Sequence, residues 1–443
     1  MTTFDRRRFL ALGAGAVSGL WLAACSSGSG SADGSTSSSG SSSGGSTPDS
    51  SGSSPSSGPG TSTASAPSRS KPKGKANRRL VIVELDGGND GMSTLVPYGM
   101  SGYKDLRQRT GIDGDRLLQL NDQVALPKEL KGLKDKGLAI LQGVGTEQPD
   151  GSHFEMMDRW WRGDVTGRAG LATGFLGRLA DQLADPAARV VGLSFGSGNH
   201  PAMQAAKAST LSLPSASSGE RLAGASSDDT RALAFQNAIA AMAAGASADT
   251  LGLARKGIRD AVGIAHMLND LGDDKDQPEY PGSNLGQSLR LSARLLKADP
   301  LVRVIHVPMG ADFDTHQNHP DRHRGLMEEL NAALVAFLVD LDGKGLGDDV
   351  LVATTSEFGR TARDNGSDGL DHGTASVALL AGKMVKSGVH GEHPSLTKLS
   401  DDGQLIATVG FDRYYATLAE SWLGIPAGDV LASKPQPIAG IIA

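Results

Sequence analysis

The chain has 443 residues, a formal net charge of −6 and only 4% aromatic residues, so it lacks the basic face that nucleic-acid binding requires. Its one cysteine, Cys25, leaves no disulfide and no thiolate metal site elsewhere in the chain.

In chain order, Asp5-Arg6-Arg7-Arg8-Phe9-Leu10 places an arginine pair ahead of an apolar run, Ala11 to Ala24. That run is short and mild for a membrane span, and residues 1–24 read as a twin-arginine signal peptide. Leu22-Ala23-Ala24-Cys25 looks like a lipobox, and a diacylglycerol on Cys25 would bring two acyl chains, enough for stable anchoring. The expectation is a protein exported by the twin-arginine translocase and held by lipid on the outer, extracytoplasmic face of a bacterial membrane. Residues 25–76 are nearly all Ser, Gly, Thr, Ala and Pro, too poor in apolar surface to fold, and read as a disordered tether. As a flexible coil such a tether has a root-mean-square span of roughly 40 Å. The basic run from Arg69 to Arg79 either touches anionic lipid or wall polymer or is a solvated linker end.

Residues 77–443 contain no second linker and no repeat, and are expected to form one large domain. Apolar, β-branched runs at Leu80–Leu85, Leu138–Val144, Arg189–Leu193, Val302–Val307, Val350–Thr355 and Ser376–Leu380 predict strands. Helical spacing over Phe154–Arg162, Thr230–Ala244, Leu251–Leu271, Leu285–Ala298, Gly325–Leu341 and Arg413–Trp422 predicts the elements between them. Near-continuous hydrophobic strands alternating with helices mark an α/β fold, a doubly wound and mostly parallel sheet sandwiched by helices. A Ser/Ala/Gly-rich stretch, Gly196–Asp229, opens an insertion near 196–250 that is either a cap over the sheet edge or a long loop.

In such sheets ligands sit beyond the carboxyl ends of the strands, and the polar motifs fall there. Leu80–Leu85 runs into Asp86-Gly87-Gly88-Asn89-Asp90-Gly91, Val302–Val307 into Asp312-Phe313-Asp314-Thr315-His316, and Val350–Thr355 into Ser356-Glu357-Phe358-Gly359-Arg360-Thr361, with Asp371-His372-Gly373 soon after. Carboxylates with imidazoles suit Zn²⁺, Mn²⁺ or Fe, or Ca²⁺ and Mg²⁺ where oxygen dominates. The candidate ligands are Asp86, Asp314, His316, Glu357 and His372; any single histidine among them could equally be a capped or core residue. Ser152, in Gly151-Ser152-His153-Phe154-Glu155, is either a nucleophile at a helix N-terminus or a plain N-cap with Glu155 completing a capping box. Ser93 and Thr94 compete for the nucleophile's role. Arg360 and Arg363 either clamp an anionic group or pair with local carboxylates.

These motifs, Glu84-Leu85-Asp86-Gly87-Gly88-Asn89-Asp90-Gly91, Phe313-Asp314-Thr315-His316, Ser356 to Thr361 and Asp371-His372-Gly373, resemble the bacterial domain of unknown function 1501 family over nearly all of 77–443. That family is similar to the alkaline phosphatase and sulfatase superfamily. The resemblance implies metals at the strand ends, with Asp86 as a ligand after the first strand, Asp314 and His316 as a second pair, and His372 as a late histidine. Where many superfamily members carry an Asp-His pair, this chain has Glu357-Phe358, which leaves one metal position open. The cysteine of classical sulfatases is missing from the region. Two functions follow as expectations: a metal-dependent hydrolase or transferase of phosphate or related esters in the cell envelope, or a wall-polymer or polysaccharide binding protein on a decayed site. A metal-stabilised assembly partner is a third.

Overall fold

The computed structural model describes residues 77–216 and 278–443, with a few separate positions between 237 and 267. The signal peptide, Cys25, the tether and the helices expected over Thr230–Ala244 and Leu251–Leu271 lie outside the described residues, as does most of the expected cap.

The strands are β1 Arg79–Glu84, β2 Leu117–Gln119, β3 Ala125–Pro127, β4 Leu138–Gly145, β5 Gly192–Phe195, β6 Thr210–Leu213, β7 Val304–Pro308, β8 Val350–Thr355, β9 Ser376–Ala381, β10 Gly388–His390 and β11 Val409–Gly410. The main sheet runs β10-β4-β9-β8-β1-β7-β5-β6, with β11 also beside β4, while β2 and β3 form a separate hairpin-like pair. β1 is parallel to β7 and β8, and β5 is parallel to β6 and β7. β9 runs antiparallel to both its neighbours, β4 and β8. The fold is therefore α/β with a mostly parallel sheet, as expected.

Every residue of β1 is buried because the sheet is covered on both faces. Val81 and Val83 face a core that includes Leu285 and Leu289 of the helix Asn284–Ala298 and Leu330, Leu334 and Phe337 of the helix His319–Gly343. Leu80 and Ile82 face Met156, Trp160, Phe175, Leu179, Phe411 and Tyr414. The five principal helices are α1 His153–Arg162, α2 Phe175–Leu183, α3 Asn284–Ala298, α4 His319–Gly343 and α5 Phe411–Ala416. Among the described residues no helix is long and apolar enough to cross a membrane.

Three differences from the sequence reading have physical causes. The strand expected over Arg189–Leu193 forms at Gly192–Phe195, where it can align with Val304–His306 of β7. α4 starts at His319, six residues before the apolar stripe, because Pro320 suits the first helical turn. Within the segment expected to cap the sheet, Thr210–Leu213 instead extends it as an edge strand, its Thr-Leu-Ser-Leu alternation matching the two-residue period of a half-covered strand.

A buried ion pair ties the loop after β1 to the loop after β8. Arg107 donates to both Asp90 carboxylate oxygens, at 2.7 and 2.8 Å, and to the carbonyls of Ala362 and Thr361 at 2.9 and 3.0 Å. Burial alone would raise the Asp90 pKa, but the Arg107 charge and hydrogen bonds, with help from His319, hold it well below the ordinary value. Asp90 therefore adds stability that is complete above its unfolded pKa of about 4 and is lost as pH falls toward the lower folded value. Removing one partner of such a pair strands the other, so Arg107→Ala is expected to destabilise the fold by about 3–5 kcal/mol. Urea unfolding at neutral and acidic pH checks both claims: the variant's deficit should shrink below about pH 4, and a deficit unchanged by acid would refute the assignment.

Candidate metal centre

The carboxyl ends of β1, β4, β7 and β8 lie along one edge of the sheet, and the loops leaving them bring Asp86, His153, Asp314 and Glu357 to that edge. His372 precedes β9, yet it arrives at the same place because β9 is antiparallel and its amino end meets the carboxyl ends of the others.

Three imidazole nitrogens and one carboxylate oxygen converge there. His372 Nε2 lies 2.9 Å from His153 Nε2 and 3.1 Å from His316 Nε2. Asp314 Oδ1 is 3.0 Å from His316 Nε2, 3.3 Å from His372 Nε2 and 3.8 Å from His153 Nε2. These separations scatter around the edge of about 3.3 Å expected when four N and O ligands surround a cation at about 2.0–2.1 Å. His153, Asp314 and His372 form a candidate metal-binding group with ligand atoms all within 4.8 Å of one another, and His316 borders it.

The outward nitrogen of each ring faces an acceptor. His153 Nδ1 is 2.6 Å from Glu357 Oε1, His316 Nδ1 is 2.8 Å from Asp371 Oδ1, and His372 Nδ1 is 2.8 Å from the Gly151 carbonyl. These partners place a proton on each Nδ1 and turn the three Nε2 lone pairs inward, toward one another. Lone pairs that close repel unless protons or a cation lie between them, and imidazoles oriented by carboxylates and carbonyls are the usual outer support of a metal site. The donor set therefore fits a divalent cation.

Electrostatics around the cluster is uneven. The hydrogen bond to Glu357, opposed by burial, raises the His153 pKa. Burial works against ionised Asp314, but the hydrogen bond and charge of Arg360 outweigh it and hold its carboxyl below the ordinary range. Burial, together with Glu84, Glu357 and Asp312, pushes the Asp86 carboxyl up to about 8.

Of the residues singled out from sequence, the structure brings Asp314, His316 and His372 together and puts Glu357 beside them, while Asp86, expected as a ligand, is not in the candidate metal-binding group and has its carboxyl near Glu84, Glu357 and Asp312. Glu357 is 4% exposed and its Oε1 accepts from Gly87 N at 2.9 Å as well as facing His153, so it orients a histidine. Arg360 differs from a substrate clamp. Its guanidinium is buried and donates to the carbonyls of Gly87, Gly88, Leu370 and Phe313 and, at 2.5 Å, to Asp314 Oδ1; it positions Asp314. Arg363 donates to the Asp105 carbonyl on the surface. Ser152 caps α1, accepting from Glu155 N at a long 3.5 Å, and sits between Gly151 and His153, both of which touch the cluster. Ser93 and Thr94 are buried against His319 and His323. The residue missed by sequence reasoning is His153. Its signal was present, a histidine directly after a strand-loop step, but the capping pattern around it gave Ser152 and Glu155 a sufficient explanation.

An α/β protein with a histidine-rich candidate metal centre at the carboxyl edge of its sheet is the class that fold and site define. The chain belongs to the DUF1501 family, described as a protein of unknown function, whose sequence profile matches residues 137–405, more than half of the chain. No curated protein matches it. Among solved structures it is similar to the lipoteichoic acid synthase LtaP from Listeria monocytogenes, with 11% identity and a TM-score of 0.36 over 83% of this chain and 77% of that one. It is also similar to the PsFucS1 sulfatase from Pseudoalteromonas sp., with 12% identity and a TM-score of 0.34 over 72% and 66%. A protein in the alkaline phosphatase superfamily from Vibrio parahaemolyticus matches with 10% identity and a TM-score of 0.34 over 72% and 64%. Likenesses this distant leave the chemistry to be argued from the chain's own residues.

The geometry separates two kinds of variant. His372→Ala removes a central nitrogen and is expected to abolish metal binding at this cluster, whereas Glu357→Gln only loosens His153 and should weaken the cluster's affinity about 10–100-fold. Zinc titration with a competing chelator distinguishes them; equal losses in both would show that Glu357 is itself a ligand.

Proposed function

We propose that the chain is an exported, lipid-anchored hydrolase or transferase acting on phosphate or related esters in the cell envelope, dependent on a divalent cation held by His153, His372 and Asp314 with His316 beside them. The observation that carries this reading is the convergence of the three Nε2 atoms and Asp314 Oδ1, each ring backed by its own acceptor. A nitrogen-rich set favours zinc, iron or manganese over calcium and magnesium. When bound, such a cation neutralises charge on a phosphoryl or sulfuryl group and makes it a better electrophile.

The protein's own groups do the rest. Glu357 and Asp371 hold two of the imidazoles in one tautomer, and Arg360 keeps Asp314 ionised and aimed. Ser152 is the candidate attacking hydroxyl, because it flanks His153 in the chain and its capping bond, at 3.5 Å, is long. The binding-protein alternative rests on Phe358, which cannot ligate, and on the long Ser/Gly-rich tether. Since His153 provides a nitrogen in that neighbourhood, the ester-cleaving reading is the better supported. The arginine motif Asp5-Arg6-Arg7-Arg8-Phe9-Leu10 and the lipobox-like Leu22-Ala23-Ala24-Cys25 in the sequence support an envelope substrate.

The decisive experiment compares wild type and Asp314→Ala on panels of phosphomonoesters, phosphodiesters and sulfate esters. Turnover of at least one class should fall about 100-fold or more in the variant, and also in wild type after chelation, with circular dichroism unchanged. Undiminished turnover in both would refute the reading. In cells of the native host, Cys25→Ser should shift the protein from the membrane to the soluble fraction; a variant that stays on the membrane would refute lipid anchoring there.

A further inference from the structure

A second cluster lies deeper, on the α1 side of the sheet. Glu84, the last residue of β1, His306 of β7 and His200 from the loop after β5 present ligand atoms within 4.8 Å of one another. Glu84 Oε2 is 2.7 Å from His306 Nε2 and 3.4 Å from His200 Nε2. The side chains of His306, Glu84 and His200 are only 2%, 9% and 19% exposed.

Three features point beyond packing. First, Glu84 is a buried carboxylate whose ion-pair partners among the described residues are these two imidazoles, with neither lysine nor arginine beside it. Burying an anion without a cation is costly. Second, the rings and the carboxylate are supported from outside. Trp161 Nε1 donates to Glu84 Oε1 at 2.5 Å, leaving Oε2 to face the histidines. Ser194 Oγ donates to the Phe195 carbonyl at 3.3 Å and lies 3.0 Å from His306 Nδ1. With its proton so directed, Ser194 accepts from Nδ1 and turns the bare His306 Nε2 toward Glu84. Third, two imidazoles and one carboxylate from three separate segments make a ligand set that first-row transition cations take, with positions left for other ligands. One contact opposes this arrangement: His200 Nδ1 accepts from Ala202 N–H at 3.3 Å, and this long bond must yield for the ring to present Nε2 to a cation.

We propose that Glu84, His200 and His306 form a second divalent transition-metal site, separate from the cluster around His372. A cation there would offset the buried charge of Glu84. The competing arrangement is a closed hydrogen-bond network in which both histidines donate to Glu84 and no metal enters.

The test is zinc stoichiometry of the purified full-length protein, stripped with chelator, reloaded, and read by elemental mass spectrometry and calorimetry. Wild type should bind two zinc equivalents. His200→Gln, chosen because His200 is the least buried member and its loss should spare the fold, should lose one equivalent or weaken it at least tenfold. His306→Gln should do the same, and His372→Gln should remove only the other equivalent. A single equivalent lost in His372→Gln and untouched in His200→Gln and His306→Gln overturns this proposal and leaves the first centre standing. A single equivalent lost only in His200→Gln and His306→Gln sustains this proposal and overturns the first centre. No binding in wild type overturns both.

Discussion

One carboxylate oxygen organises the candidate centre. Glu357 Oε1 accepts from the Gly87 backbone at 2.9 Å and faces His153 Nδ1 at 2.6 Å, joining the loop after β1, the loop after β8 and the start of α1. The contact demands an unusual backbone, since Gly87 has φ 103° and a Cβ there would lie 2.5 Å from Asp314 N. Only glycine permits the loops after β1 and β7 to approach so closely. Arg360, three residues after Glu357, holds the other side of the same loop through the Gly87 and Gly88 carbonyls and reaches Asp314. One short segment thus grips the first loop by its donors and its acceptors, and fixes one histidine and one aspartate in doing so.

Sheet direction explains why the remaining ligands meet them. Parallel strands deliver their following loops to one edge, the general location of ligands in such folds. The antiparallel β9 is the exception that adds a residue from in front of a strand, His372, with Gly373 packed against the Arg360 backbone so closely that a Cβ would lie 2.3 Å from it. A fully parallel sheet would have placed that histidine at the opposite edge.

The sheet was legible because buried strands must be apolar along their whole length, and six runs announced themselves that way. Asp314, His316 and His372 were legible because they are polar residues stranded just beyond such runs. What escaped had a competing local explanation or none. His153 sits inside a Ser-x-x-Glu capping pattern that accounts for its neighbours. The edge strand β6 has only four residues, within a Ser- and Ala-rich stretch, too short to stand out, whereas Phe175, Leu176, Leu179, Ala180 and Leu183 give α2 a helical spacing that is legible in the sequence. Arg360 could be read as a clamp because its sequence neighbours do not reveal that the distant backbone carbonyls of Gly87, Gly88 and Phe313 take up its donors. Glu84 and His306 end or interrupt apolar strands, and nothing in either strand alone says that the other is its partner.

The departure at Phe358 is resolved in three dimensions. The ring packs 4.7 Å from His153 and 5.0 Å from His372, centroid to centroid, and against Gly88, where a Cβ would meet it at 2.6 Å. It serves as a wall for two imidazoles, while the nitrogen that the sequence pattern lacks comes from a helix start instead of a strand end. That transfer makes α1 a structural hinge point of the edge. Its Trp160 donates to the Glu357 carbonyl at 2.9 Å, its Trp161 donates to Glu84 at 2.5 Å, and its first residue is His153. A single helix of ten residues therefore supports both histidine clusters, and a shift of α1 against the sheet would disturb the two together.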